Sequence, residues 1–183
     1  MKKYKHLFFD LDRTIWDFDE NSKETLSEIY DKFQLNKHYN NFTQFYNIYH
    51  TNNDKLWSEY RSGNMKKEVL RSLRFFNALL DIGVKDQKLA RQIGDDYVKF
   101  SPLKKNVFPY TYESLEYLQE KKYKLHIITN GFNEVQFIKM KNCNLNDFFQ
   151  KLLQVRMLVI LSLILKYFIM HFLQLMQKKL KVL

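Results

Sequence analysis

Two short apolar runs bracket a long stretch of helical periodicity. His6–Leu11 reads HLFFDL and ends in acid; Leu125–Thr129 reads LHIIT and runs into Asn130 and Gly131. A short continuous apolar stretch closed by polar residues is the mark of a strand buried in a parallel sheet. Gly131 is expected to supply a tight turn with positive φ. Both runs carry polar, reactive residues at their C-terminal ends, where open α/β sheets place their ligand crevice. Between them, Leu26, Ile29, Tyr30 and Phe33 share one helical face. Val69, Leu70, Leu73, Phe76 and Leu80 repeat that spacing, and Gly83 follows as a C-terminal stop. A further helix is predicted over Asp86–Phe100, ended by Pro102. Pro109 opens another over Tyr112–Lys122, and Asn133–Lys141 is the helix after the second strand.

A crossover between parallel strands needs only about a dozen residues. The block 17–102 is far longer and holds several helices and no convincing strand, so it reads as a helical insert over the end of the first strand. The predicted organisation is a core of 1–16 and 103–151, an insert of 17–102, and a tail of 152–183. In this 183-residue chain, 45% hydrophobic and 16% aromatic residues exclude wholesale disorder. The lone Cys143 excludes an intramolecular disulfide framework or a Cys-rich zinc site, and is read as a buried, idle thiol. His6, His38, His50, His126 and His171 show no metal-ligand spacing. The net charge is +10, but five bases and no acid lie beyond Lys151. The part before it carries 25 bases interspersed with 20 acids. Mixed signs mark a solvated surface, so no nucleic-acid partner is expected. No secretory signal is visible, and a cytoplasmic location is the expectation.

The candidate chemistry lies in FFDLDRTIWDFD. On an extended segment, Asp10 and Asp12 at i and i+2 would point the same way. One carboxylate can act as nucleophile and the other as acid or base. An oxygen set with few carboxylates suits Mg²⁺, which keeps several waters and binds substrate phosphate. At the second strand, the hydroxyl of Thr129 and the backbone N–H groups of Asn130 and Gly131 can cradle a phosphate; an N-cap with a turn is the plainer use of the same residues. Trp57 and Tyr60, with Arg74 and Phe75, either line a base-binding pocket or form aromatic core. Arg13 either touches phosphate or is a solvated turn residue.

Asp10, Asp12 and Thr14 with Thr129 resemble the first two motifs of the haloacid dehalogenase-like hydrolase superfamily, and the insert resembles its subclass with a helical cap after the first strand. LWSEYRSGNMKKEVLRSLRF, VFPYTYESLEYL and HIITNGFNEVQFIKM resemble the noncanonical pyrimidine nucleotidase branch, a 5′-nucleotidase group, over residues 4–151. The resemblance implies an α/β fold, a Rossmann-like parallel core with an inserted α-helical cap. It implies a Mg²⁺-dependent phosphatase in which Asp10 is the nucleophile, Asp12 the general acid and base, and both hold the metal. Thr129, Asn130 and Gly131 would bind the phosphate of a small phosphorylated metabolite, a nucleoside 5′-monophosphate, with Trp57 and Arg74 at the cap pocket.

The family's lysine motif and its later pair of acids have no counterpart here: after Asp147 there is no acid, and after Pro109 no proline. The C-terminal part of the core is therefore expected to be absent. A membrane span is not expected, since Met157–Leu165, the most apolar uncharged run of the tail, is about half the roughly 20 residues a span needs. A surface helix binding a membrane or a partner is the alternative, as is a non-catalytic fragment. The hypothesis favoured here is an out-of-frame translation. The permitted codons AAA TTA TTA CAA GTG AGG ATG TTG GTT ATA for Lys151–Ile160, read from the last A of the first codon, give IITSEDVGY. Leu161–Phe168 can likewise give KPNPKIF, and Gln174–Leu183 INAKKAESL, strings that resemble the missing strand, lysine motif and helix. The 183-residue chain should then be poorly soluble and nearly inactive, and restoring the frame after Lys151 should recover solubility and Mg²⁺-dependent hydrolysis. A soluble, fully active 183-residue chain, or a gene sequence that lacks these codons, refutes it.

Overall fold

The computed structural model describes residues 4–155. Most of the predicted tail, 156–183, lies outside them. Along the chain, β1 (His6–Phe9) is followed by α1 (Phe18–Lys32), α2 (Phe42–Arg61), α3 (Lys67–Leu80) and α4 (Gln87–Phe100), then α5 (Thr111–Glu120), β2 (Lys124–Thr129), α6 (Asn133–Asn142) and β3 (Phe149–Gln154). The strands form one parallel sheet in the order β1-β2-β3. This is the α/β architecture predicted from the sequence.

Local signals set the helix starts. Asp17, Asn41 and Asp86 accept hydrogen bonds from the N–H groups of Glu20, Gln44 and Leu89 at 3.1, 2.9 and 2.8 Å. Each satisfies a donor that a helix end leaves unpaired. Asp86 is thus the cap of α4 rather than its first residue. Buried side chains fall into separate groups. Leu26, Ile29, Phe45, Tyr49, Phe75, Leu79 and Ile93 pack among the four insert helices. Leu11, Trp16, Leu115, Leu125, Ile127 and Phe149 pack at the sheet. The side chain of Asn21, fully buried, joins the two strands of chain that pass between these groups. Its amide donates to the carbonyls of Asp17 and Asn106, both at 2.7 Å, and its oxygen accepts from the Asn106 N–H at 3.0 Å.

Two expectations need adjusting. The third strand, expected to be lost where LLQVRML begins, is present: Ile127, Ile128 and Thr129 pair with Leu152, Leu153 and Gln154. Leu152 packs against the sheet core, and its apolar side chain suits a strand there. The first strand ends at Phe9 rather than Leu11, because Leu11 turns down into the core. The unpaired edge expected for β1 is found among the described residues, with Phe8 55% exposed and stacked on the ring of His126 at 4.9 Å. No helix among the described residues is long and apolar enough to cross a membrane.

Candidate active site

Asp10 is the first residue past β1, and Asp12 is not on an extended segment at all. The chain turns at Leu11, whose carbonyl accepts from the N–H groups of Ile15 and Trp16 at 3.0 and 2.9 Å, and Arg13 takes a left-handed φ of 63°. Burial of Leu11, Ile15 and Trp16 drives this turn and leaves both aspartates facing one polar cleft. Thr14, Thr129, Asn130 and Gly131 line the same cleft, with Asn53, Asp54, Trp57 and Arg61 opposite them on α2. A turn therefore achieves the convergence that the i, i+2 spacing was expected to give through a strand.

The Asp10 carboxylate opens on the cleft. Its Oδ1 accepts from the Leu11 N–H at 2.9 Å, and its other oxygen has no hydrogen-bond partner among the described residues. Lost hydration raises its pKa and the charge of Asp12 adds to the rise, against the pull of the Leu11 N–H and Lys139. Asp12 is held at both oxygens. Lys139 Nζ donates to Oδ1 at 2.5 Å and Gln136 Nε2 to Oδ2 at 2.8 Å. Lys139 is only 5% exposed, and its ammonium lies 3.9 Å over the Trp16 ring. A cation at the aspartate pair thus comes from α6. The available signal was Gln136 and Lys139 at i, i+3 on one helical face.

Gln136 also ties in the second motif. The same Nε2 donates to Thr129 Oγ1 at 2.8 Å, and the Gly131 N–H donates to that oxygen at 3.0 Å. A hydroxyl has two acceptor sites and one proton. With both acceptor sites taken, the Thr129 proton is left to be donated. Thr129 and Asn130 do not cap α6; Phe132 occupies that position. Gly131 lacks the positive φ expected of it. Glycine is needed there for space, because a Cβ would stand 2.2 Å from Gln136 Nε2.

A second, more apolar cavity lies beside the cleft, among Leu70, Tyr97, Val98, Pro102, Phe132 and Val135. Asp12, Phe18, Trp57 and Gly131 line both spaces. Trp57 stacks on Phe132 at 5.5 Å, and Arg74 lines the apolar cavity, whereas Tyr60 and Phe75 are core residues that do not. Arg13 pairs with Asp19 at 2.9 Å on the surface, the plainer of its two readings. Cys143 is buried. Among the described residues no three His, Cys, Asp or Glu converge as a metal cage. The Asp10 carboxylate and the Asp12 carbonyl, which accepts no backbone hydrogen bond among the described residues, form an all-oxygen set. That set fits a hard cation that keeps its waters, as Mg²⁺ does.

Two outcomes follow from this geometry. Lys139→Met should destabilise the fold by about 3 kcal/mol, since breaking a buried pair leaves a charge without its partner. Adding Asp12→Asn should restore part of the loss, and denaturant melts of the single and double variants measure both. Asp10 has a raised pKa, so its ionisation opposes folding: stability is highest below the ordinary carboxylate pKa and falls as pH rises through the raised one. In chelator, Asp10→Asn should therefore melt higher than the parent chain at pH 7, and the gap should close below about pH 4.

A family model described as haloacid dehalogenase-like hydrolase matches residues 7–158. The HAD-hydrolase YfnB of Bacillus subtilis (strain 168) is 26% identical over 151 residues, 82% of this chain and 61% of that one. Its magnesium-bound crystal structure aligns with a TM-score of 0.73 at 23% identity, over 84% of this chain and 66% of that one. L-2-haloacid dehalogenase from Xanthobacter autotrophicus, with chloropropionic acid covalently bound, aligns at 0.58 and 16% identity over 84% and 57%. The chain spans less than two thirds of the length of each of these relatives. With two aspartates after the first strand, a threonine at the end of the second and a family match over most of its length, the chain belongs to the haloacid dehalogenase-like hydrolases.

Proposed function

We propose that this fold serves Mg²⁺-dependent hydrolysis of phosphate monoesters through an aspartyl-phosphate, with a nucleoside 5′-monophosphate as substrate. The observation that carries the reading is the place of Asp12, fixed at the junction between a polar cleft and an apolar cavity. A phosphoryl group in the cleft and a leaving group in the cavity put the scissile P–O bond beside that carboxyl group.

Asp10, through its free oxygen, attacks phosphorus and forms an acyl phosphate as the P–O bond to the leaving group breaks. Asp12, in its protonated form, gives its proton to the departing alkoxide. It then takes one from the water that opens the acyl phosphate. Thr129 donates its remaining proton to a phosphoryl oxygen, and the backbone at Asn130 and Gly131 faces the same group. Bound Mg²⁺, held by the Asp10 carboxylate and the Asp12 carbonyl, supplies charge neutralisation. Lys139 and Gln136 act through Asp12 by holding its carboxyl group in place. The insert serves as a cap that excludes water and selects substrate. Trp57 and Arg74 lie in its pocket, and the resemblance of Leu56–Phe75 to the pyrimidine nucleotidase branch supports a nucleotide.

The rival chemistry, halide displacement from a small acid, would use Asp10 in the same way. A halide leaves without a proton, however, so it would give Asp12 no task at the junction. Asp10→Asn and chelation should each reduce hydrolysis of p-nitrophenyl phosphate and of nucleoside monophosphates to background, because an amide cannot form the acyl phosphate. The assay is run on the 183-residue chain and on the frame-restored one. Unchanged rates in Asp10→Asn, or chloride release from 2-chloropropionate without phosphate release from any ester, overturn the reading.

A further inference from the structure

Asn53 on α2 is a buried amide whose two ends meet different surroundings. It is 2% exposed, yet it lines the polar cleft together with Asp10, Asp12 and Thr129. Its Oδ1 accepts from Arg74 Nη1 on α3 at 3.1 Å and from the Tyr49 hydroxyl at 3.4 Å. A guanidinium has no acceptor, so the amide oxygen must be the end that meets Arg74, and the NH₂ group the end that turns away. That NH₂ group donates to nothing among the described residues, and unlike Arg74 Nε it is not sealed from solvent. A nearly fully buried side chain thus holds free donors at the cleft wall, where buried polar groups are ordinarily satisfied.

Arg74 strengthens those donors. It is 6% exposed and makes no ion pair among the described residues. Its guanidinium lies 4.6 Å from the Tyr97 ring centre and 5.2 Å from that of Phe75, and ring faces offset only part of the cost of burying a charge. A cation bonded to an amide oxygen polarises the group and makes its NH₂ end the better donor. Arg74 lines the apolar cavity and not the cleft, so its influence on the cleft passes through Asn53. Asp10, Asp12 and Asp54 all line the cleft, and an anion entering among three carboxylates needs donors from more than one wall. Arg61 also lines it from α2 but is exposed, where water screens its charge.

We infer that Asn53 is a phosphoryl-binding residue: its NH₂ group donates to a phosphoryl oxygen from α2, across the cleft from Thr129, with Arg74 as the positioning residue behind it. The inference rests on the phosphatase reading for the presence of a phosphoryl group in the cleft. It makes closure of α2 over the cleft part of phosphate binding, whatever the leaving group.

The test is affinity for inorganic phosphate and for uridine 5′-monophosphate in Mg²⁺, with thermal melting, on the 183-residue chain. Asn53→Asp keeps the shape and the oxygen facing Arg74 but turns the second end from donor to anion. It should weaken inorganic phosphate at least about tenfold. Without ligand it should melt no lower than the parent chain, because Arg74 gains a buried anion. Arg74→Met should weaken inorganic phosphate by about threefold, a smaller loss because Tyr49 still holds the amide. Unchanged phosphate affinity in Asn53→Asp overturns the inference, as does a loss seen with the nucleotide and not with inorganic phosphate, which places Asn53 on the leaving group. A lower melting temperature or a failure to fold in Asn53→Asp overturns it too, since the amide is then needed for packing. Unchanged phosphate affinity in Arg74→Met removes the positioning role. In each of these cases hydrolysis of phosphate esters by the parent chain leaves the phosphatase reading intact. No binding of either probe, with no ester hydrolysed in either frame, overturns both.

Discussion

The carboxyl group of Asp12 is usable at the cleft because Lys139 and Gln136 fix both its oxygens from behind. The aspartate sits in a turn with a left-handed neighbour, and a turn alone does not hold a side chain at one angle. The clamp comes from α6, the helix that starts just past Thr129 and Gly131. Gln136 bonds Asp12 and Thr129 with one nitrogen, so the two halves of the candidate site are joined by a single amide group. This junction also explains the local sequence. Gly131 has no side chain because Gln136 passes through the space a Cβ would take. Lys139 tolerates burial because it has both an anion and the face of Trp16.

Charge balance separates the two aspartates. Asp12 has a buried ammonium at contact distance, whereas Asp10 has one backbone N–H and an open oxygen. One cation cannot serve both groups equally, and the Asp10 pKa is raised first by lost hydration and then by the charge of Asp12. Of the bases nearby, Arg13 is held by Asp19 and Lys67 by Glu134, while Arg61 lines the cleft from α2. A divalent cation beside Asp10 would correct the imbalance, which is why the donor set and the electrostatics point to the same requirement.

The sequence made the framework legible where burial forces a pattern. The HLFF and LHIIT runs are strands, and the apolar spacing around Leu26, Ile29, Leu70 and Leu79 marks helices that pack on each other. Asp10, Asp12, Thr129 and Gly131 were legible because polar residues at strand ends stand out from an apolar run, and all four line one cleft. Lys139 and Gln136 were not, since a lysine and a glutamine on a helix normally face water. Only the fold shows that their face of α6 is turned inward. The turn at Leu11 was hidden for a related reason: an apolar residue between two acids looks the same whether it continues a strand or plunges into the core. β3 is less legible because it straddles Lys151, where the family resemblance ends, although Leu152 and Leu153 are apolar enough to extend the sheet.

Strand register links these local facts. β1 and β2 pair with Phe9 opposite Ile127, so the chain leaves β1 two residues before the level at which Thr129 ends β2. Side chains on a strand alternate between faces, and a one-residue slip would turn Ile127 and Leu125 out of the core while moving Asp10 away from Thr129. The burial of Leu125 and Ile127 therefore fixes the spacing of Asp10 and Thr129 as well as the sheet. The same constraint extends to α6. Its buried face meets the sheet through Met140, next to Lys139, so the packing that seats the helix also delivers the ammonium to Asp12. Mutations that loosen this packing should therefore disturb Asp12 before they disturb Asp10, because Asp10 is anchored by its own neighbouring N–H and, among the described residues, the Asp12 carboxylate is anchored from α6.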